Sequence, residues 1–141
     1  MAEALTARTL VPGEAEAPVT LLSEPLSFWG GLDPLTGRVI DRRHPQAGTV
    51  LSGRILAMPA GRGSSSASSV LAEAIRLGTA PSGVVLRVAD PIVALGALVA
   101  AELYGIACPV VTVSDSSYAS LREGLTVRVR AGEDGGEVIL S

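Results

Sequence analysis

Six consecutive residues, Gly61-Arg62-Gly63-Ser64-Ser65-Ser66, are the part of the chain best equipped for chemistry. A strand that ends in Gly-x-Gly and enters a helix through three serines collects backbone N–H groups, hydroxyl donors and the positive helix end at one point. That combination binds an anion. The plainer alternative makes Ser64 or Ser65 an N-cap and the glycines a tight turn. A dinucleotide fingerprint fits poorly, because Ser66 takes the place of its third glycine and the next acid to consider, Asp90, comes 27 residues after Gly63 rather than about 20. A P-loop needs a lysine, and all eleven cationic side chains are arginine. A serine hydrolase would have His44 as its only base, and no Gly-x-Ser-x-Gly elbow is present.

Three further features stand apart. Phe28-Trp29-Gly30-Gly31 joins the only Phe and the only Trp to two glycines. In a chain with 3% aromatic residues this pair reads either as a core cap with a turn or as a contact to substrate or to another subunit. His44, in the polar run Arg42-Arg43-His44-Pro45-Gln46, reads from its neighbours as a surface histidine. Cys108, the single cysteine, reads as a small buried hydrophobe. One cysteine cannot form an internal disulfide, nor by itself hold zinc or an iron–sulfur cluster.

The elements around these residues follow from periodicity. Residues 1–17, mixing Ala, Glu, Thr, Pro and Gly, are expected to form a flexible arm, and residues 18–141 a single domain. Strands are predicted at 19–22, 38–41 and 54–59. A helix follows, with Val70, Leu71, Ala74 and Ile75 on one face and a stop at Gly78. Then come a strand at 83–87, a helix at 91–104 opened by Pro91, a strand at 109–113 and a short helix at 115–122. Residues 125–140 carry the alternation and glycine turn of a β-hairpin. The fold class is therefore α/β, β-rich at both ends and βαβαβ in the middle.

Composition narrows the function. A chain of 141 residues suits one domain, and 48% hydrophobic residues with a mean hydropathy of +0.44 exclude a disordered tail. A net charge of −3 leaves no basic footprint for nucleic acid. The longest apolar run, residues 92–101, spans ten residues, about half of the roughly 20 a membrane helix needs. The opening residues lack the unbroken apolar stretch of an export signal. Together these lead to the expectation of a cytoplasmic protein without a membrane span. The apolar area also leads to an expectation that the isolated chain self-associates.

The ordered set Glu24-Pro25-Leu26-Ser27-Phe28-Trp29-Gly30-Gly31-Leu32-Asp33-Pro34-Leu35-Thr36-Gly37, His44, Gly53-Arg54-Ile55-Leu56, Gly61-Arg62-Gly63-Ser64-Ser65-Ser66 and Ser68-Ser69-Val70-Leu71 resembles the swivel domain of the aconitase superfamily, specifically the aconitase X small subunit. The resemblance covers residues 21–113 and implies a swivelling β/β/α domain with a barrel-like sheet and central βαβ units. It further implies a subunit of a heteromeric hydro-lyase that dehydrates a hydroxy acid. The large subunit would hold an iron–sulfur cluster or iron that takes the leaving hydroxyl, and this chain alone would bind no metal or cofactor. Motif alignment implies Ser64 as general base, with Arg62, Gly63, Ser65, Ser66, Trp29, Gly30, Gly31 and His44 as substrate-binding residues. Archaeal members of the branch tend to have Gly-Lys-Gly-Ser-Thr at 61–65, so Arg62 and Ser65 point to the bacterial side and to cis-3-hydroxy-L-proline as substrate. The alternatives are 5-phosphomevalonate and a non-catalytic module that holds a carboxylate or phosphate. The arginine of the ordinary aconitase Gly-Ser-Ser-Arg motif is Ser66 here, which argues against a tricarboxylate.

Overall fold

Short runs of Val, Ile, Leu and Ala, broken by glycine and proline, build a sheet that closes on itself. The computed structural model describes residues 3–62 and 65–141. Its strands are β1 (Glu3–Val11), β2 (Gly13–Leu21), β3 (Leu32–Asp33), β4 (Arg38–Val39), β5 (Ile55–Met58), β6 (Gly83–Leu86), β7 (Val110–Val113), β8 (Thr126–Gly132) and β9 (Gly135–Leu140). The helices are α1 (Ser66–Leu77), α2 (Pro91–Tyr104) and α3 (Asp115–Tyr118). Seven strands form a closed barrel in the order β1-β7-β6-β5-β2-β8-β9, and β3 pairs with β4 alone. Strands β2, β5, β6 and β7 are parallel neighbours, while β1, β8 and β9 complete the circle antiparallel. The expected barrel and βαβ units are thus one sheet, not two packed layers.

The alternation of side chains along the central strands makes two cores. Ile55, Ala57, Val85 and Val111 point into the barrel, where they meet Val19, Val127, Val129 and Val138. Leu56, Met58, Val84 and Leu86 point outward and are covered by Leu71, Ala74 and Ile75 of α1 and by Ala97 and Ala100 of α2. The helices approach closely because position 96 is glycine: a Cβ there would lie 2.8 Å from the Ser68 carbonyl oxygen. Leu121, packed with Tyr118 and Leu125, belongs to the barrel core.

The expected N-terminal arm is corrected by the first two strands. Leu5, Ala7 and Val11 of β1 and Ala17 and Val19 of β2 are buried, and β1 bonds to both β7 and β9. Much of the inward alternation is carried by alanine, a weak apolar signal, with Glu and Thr between. The predicted strand at 38–41 shortens to Arg38–Val39, because the chain turns at Asp41, whose carbonyl accepts from His44 N–H at 3.0 Å. The predicted helix at 115–122 shortens to four residues, since Leu121 is drawn into the core and Gly124 turns the chain with φ 81°. Both longer helices end as expected, α1 at Gly78 and α2 at Gly105, each in the left-handed conformation.

Candidate functional site

The loops leaving the C-terminal ends of the parallel strands meet at one edge of the barrel, the position where open parallel sheets place their ligands. The segment 59–62 follows β5. Its Gly61 forms a parallel bridge with Leu26, from the loop after β2. The backbone N–H groups of Arg87 and Val88, after β6, both donate to the Pro59 carbonyl, at 3.2 and 3.1 Å. Three segments far apart in sequence are thereby sewn together around Pro59 and Gly61.

Gly61 is required by its neighbour. A Cβ at 61 would run into Asp90 Oδ2 and lie 2.6 Å from Asp90 Cγ. Asp90 is the N-cap of α2, where its Oδ1 accepts from Ile92 N at 2.8 Å and from Val93 N at 3.1 Å. The carboxylate read in the sequence only as a misplaced dinucleotide acid therefore stands at the candidate site. The pair Asp90-Pro91, a cap followed by a first-turn proline, is the signal that could have placed it there.

Further along the chain, Ser65 is the N-cap of α1, in helical conformation and with no side-chain cap bond. Its carbonyl instead accepts from the Ser68 hydroxyl at 2.7 Å. Ser65 and Ser66 are exposed, as is Arg62. The first turn of α1 contains no acidic side chain, so its positive end is not neutralised by its own residues. Gly63 and Ser64, singled out above, lie outside the described residues.

The aromatic pair divides. Phe28 is buried, whereas Trp29 is 61% exposed, two and three residues beyond the Leu26–Gly61 bridge. The two glycines after it serve a tight turn: Gly30 takes φ 75°, and a Cβ on Gly31 would strike the Ser27 carbonyl and lie 2.9 Å from Leu26 Cδ1.

His44 departs from both expectations. It is 5% exposed, so it is not a surface histidine, and both ring nitrogens are engaged: Nδ1 accepts from Gln46 N–H at 3.0 Å, and Nε2 lies 3.1 Å from the Glu24 carbonyl. Gln46 in turn bonds to Ser23 N–H and to the Leu21 carbonyl, both at 2.7 Å. His44 anchors the exit of β2 and has no nitrogen left for a substrate.

Cys108 is buried as expected, and desolvation pushes its thiol up to about 12. Among the described residues no group of three or more His, Cys, Asp and Glu could hold a metal ion. The donors present therefore do not fit an iron or iron–sulfur centre. Two surface hollows, of about 650 and 410 Å³, lie at the opposite end of the barrel beside Gly13, Glu14 and Cys108, away from the serine loop.

A family model described as the aconitase X swivel domain matches residues 4–138. The chain belongs to that family. It is 48% identical over 114 residues to a cis-3-hydroxy-L-proline dehydratase of Pseudomonas aeruginosa, an alignment that covers 81% of this chain and 20% of the relative. It is 39% identical over 135 residues to the phosphomevalonate dehydratase small subunit of Thermococcus gammatolerans, covering 96% of this chain and 97% of that one. In three dimensions it is similar to the crystal structure of Thermococcus kodakaraensis aconitase X in its holo form, with a TM-score of 0.85, 37% identity, and coverage of 99% of this chain and 98% of the other. The aconitase X swivel domain identified here thus spans about one fifth of the length of the hydroxyproline dehydratase relatives and nearly all of a separate small subunit. Among the described residues no helix is long and apolar enough to cross a membrane.

Proposed function

We propose that this swivel domain is the small subunit of a two-chain dehydratase that acts on cis-3-hydroxy-L-proline, and that Ser64 is its general base. The observation that carries the reading is the bridge between Gly61, just past the end of β5, and Leu26, in the loop after β2 that carries Trp29, in a chain of this family. The hydroxyproline substrate is supported by the 48% identity to the Pseudomonas aeruginosa dehydratase. A second reading, 5-phosphomevalonate, is supported by the end-to-end match to separate small subunits.

In the reaction, Ser64 Oγ takes the proton from the carbon that bears the carboxylate. The hydroxyl on the adjacent carbon departs, a double bond forms between the two carbons, and one water is lost. A serine accepts a proton only as an alkoxide, and the N-terminus of α1, free of acidic side chains, favours that negative charge. Exposed Ser65, Ser66 and Arg62 are the groups available to the substrate carboxylate. Trp29 forms the neighbouring wall or a subunit contact. Any iron or iron–sulfur centre belongs to the large subunit in this reading, and the complex works in the cytoplasm, where a lone buried thiol stays reduced.

Ser64→Ala in the assembled complex tests the assignment. The expected result is a kcat lowered by about 10²–10⁴-fold with complex assembly unchanged. Ser69→Ala, an exposed position within α1, is the control and should turn over like the wild type. Equal turnover by both variants would place the base elsewhere.

A further inference from the structure

We infer that the outward face of α2, opening at Val88 and running along Pro91, Leu95, Leu98 and Glu102, is the surface on which the large subunit docks. This inference rests on the proposed two-chain enzyme. The helix buries Val93, Gly96, Ala97 and Ala100 against the sheet and α1, yet its other face is also apolar. Leu95 and Leu98 are each 46% exposed, and Val88 just before the helix is 59% exposed. Positions 91, 95, 98 and 102 follow the helical repeat, so they form one stripe. Glu102 is the only charged residue in all fourteen positions of the helix. A helix apolar all round is normally covered on every side. The outward face of α1, by contrast, is Ser66, Ser69, Glu73 and Arg76, with Glu73 and Arg76 paired at 2.6 Å.

Two observations select the occupant. The hydroxyproline dehydratase relatives carry this region as 20% of their length, so the remaining four fifths of such an enzyme must pack against some face of the domain. The stripe also begins at the candidate site: Asp90 and Val93, at the start of α2, are the residues that a Cβ on Gly61 would touch. A body that closes over the serine loop continues onto α2 without a break. A second copy of this chain seated on the same stripe would cover that entrance.

The experiment uses the full chain and its cognate large subunit, co-expressed and also titrated against each other, with the double variant Leu95→Asp/Leu98→Asp. Because both side chains are half exposed, the variant should melt like the wild type, and a milder pair, Leu95→Ser/Leu98→Ser, is read beside it. The expected result is binding weakened by about 30-fold or more in the Asp pair, a smaller loss in the Ser pair, and no loss for Arg76→Ala on α1. Wild-type binding retained by both pairs in an active complex would overturn the docking face and leave the proposed function standing. No binding by the wild-type chain would instead overturn the proposed function. A homodimer of the isolated chain that the Asp pair dissolves, with large-subunit binding unaffected, would make a second copy the occupant and overturn the inference.

Discussion

At the scale of single residues, the buried thiol of Cys108 gives the sharpest prediction for the isolated chain. Burial pushes it from an ordinary 9.0 up to about 12. The unfolded chain therefore releases this proton at lower pH than the folded one, and the stabilising effect of burial is full below pH 9 and is lost as pH rises toward 12. Tyr118, also pushed up to about 12 by desolvation and eased back by Arg87, adds to the loss from about pH 10. Chemical denaturation at pH 8 and pH 10 should show the wild type losing about 1.4 kcal/mol more than Cys108→Ala. Parallel losses would mean that the thiol is not desolvated. His44 illustrates what local sequence hides: its run of polar neighbours describes a surface, and only the fold brings the Glu24 carbonyl and Gln46 N–H to its two nitrogens.

At the scale of elements, Gly61 and the cap of α2 form a single joint. Gly61→Ala should force its methyl group into the Asp90 carboxylate, at a cost of about 1–3 kcal/mol, and should shift the serine loop. Thermal unfolding of the variant measures the first effect, and turnover of its complex the second. A fully stable variant would mean that loop and cap are not in contact. The βαβ core was legible because each signal is local: Gly78 and Gly105 end the helices, Pro91 opens one, and four-residue apolar runs mark strands buried on both faces. The entry into α1 at Ser66, after the loop that holds Gly61, was legible for the same reason. The partners of that loop were not, since the Leu26–Gly61 bridge, the seat of Asp90 and the Pro59 bonds join segments tens of residues apart. The first strand and the opening part of β2 were missed because Ala7, Ala15 and Ala17 carry little apolar weight individually, and only pairing along β8, where Glu14 faces Arg130 and Glu16 faces Arg128, reveals the register of β2.

At the scale of the whole molecule, the barrel is closed by its first strand. Residues 3–11 form seams with both β7 and β9, so deleting residues 1–11 would open the circle and expose Val113, Val138 and Leu140. The truncated chain should lose cooperative unfolding or fail to fold, as circular dichroism would show, whereas a dispensable arm would leave the transition in place. The closed barrel holds four parallel strand ends in a fixed array, with Gly61 following the end of β5, and among the described residues no group of three or more His, Cys, Asp and Glu could hold a metal ion. In the function proposed above, this domain supplies a base and an anion seat to a reaction that the large subunit completes. The most direct measurement is turnover of cis-3-hydroxy-L-proline by this chain alone, by its large subunit alone, and by the two mixed. Turnover is expected only in the mixture. Dehydration catalysed by this chain without its partner, or a mixture that binds together and turns over neither cis-3-hydroxy-L-proline nor 5-phosphomevalonate, would contradict it.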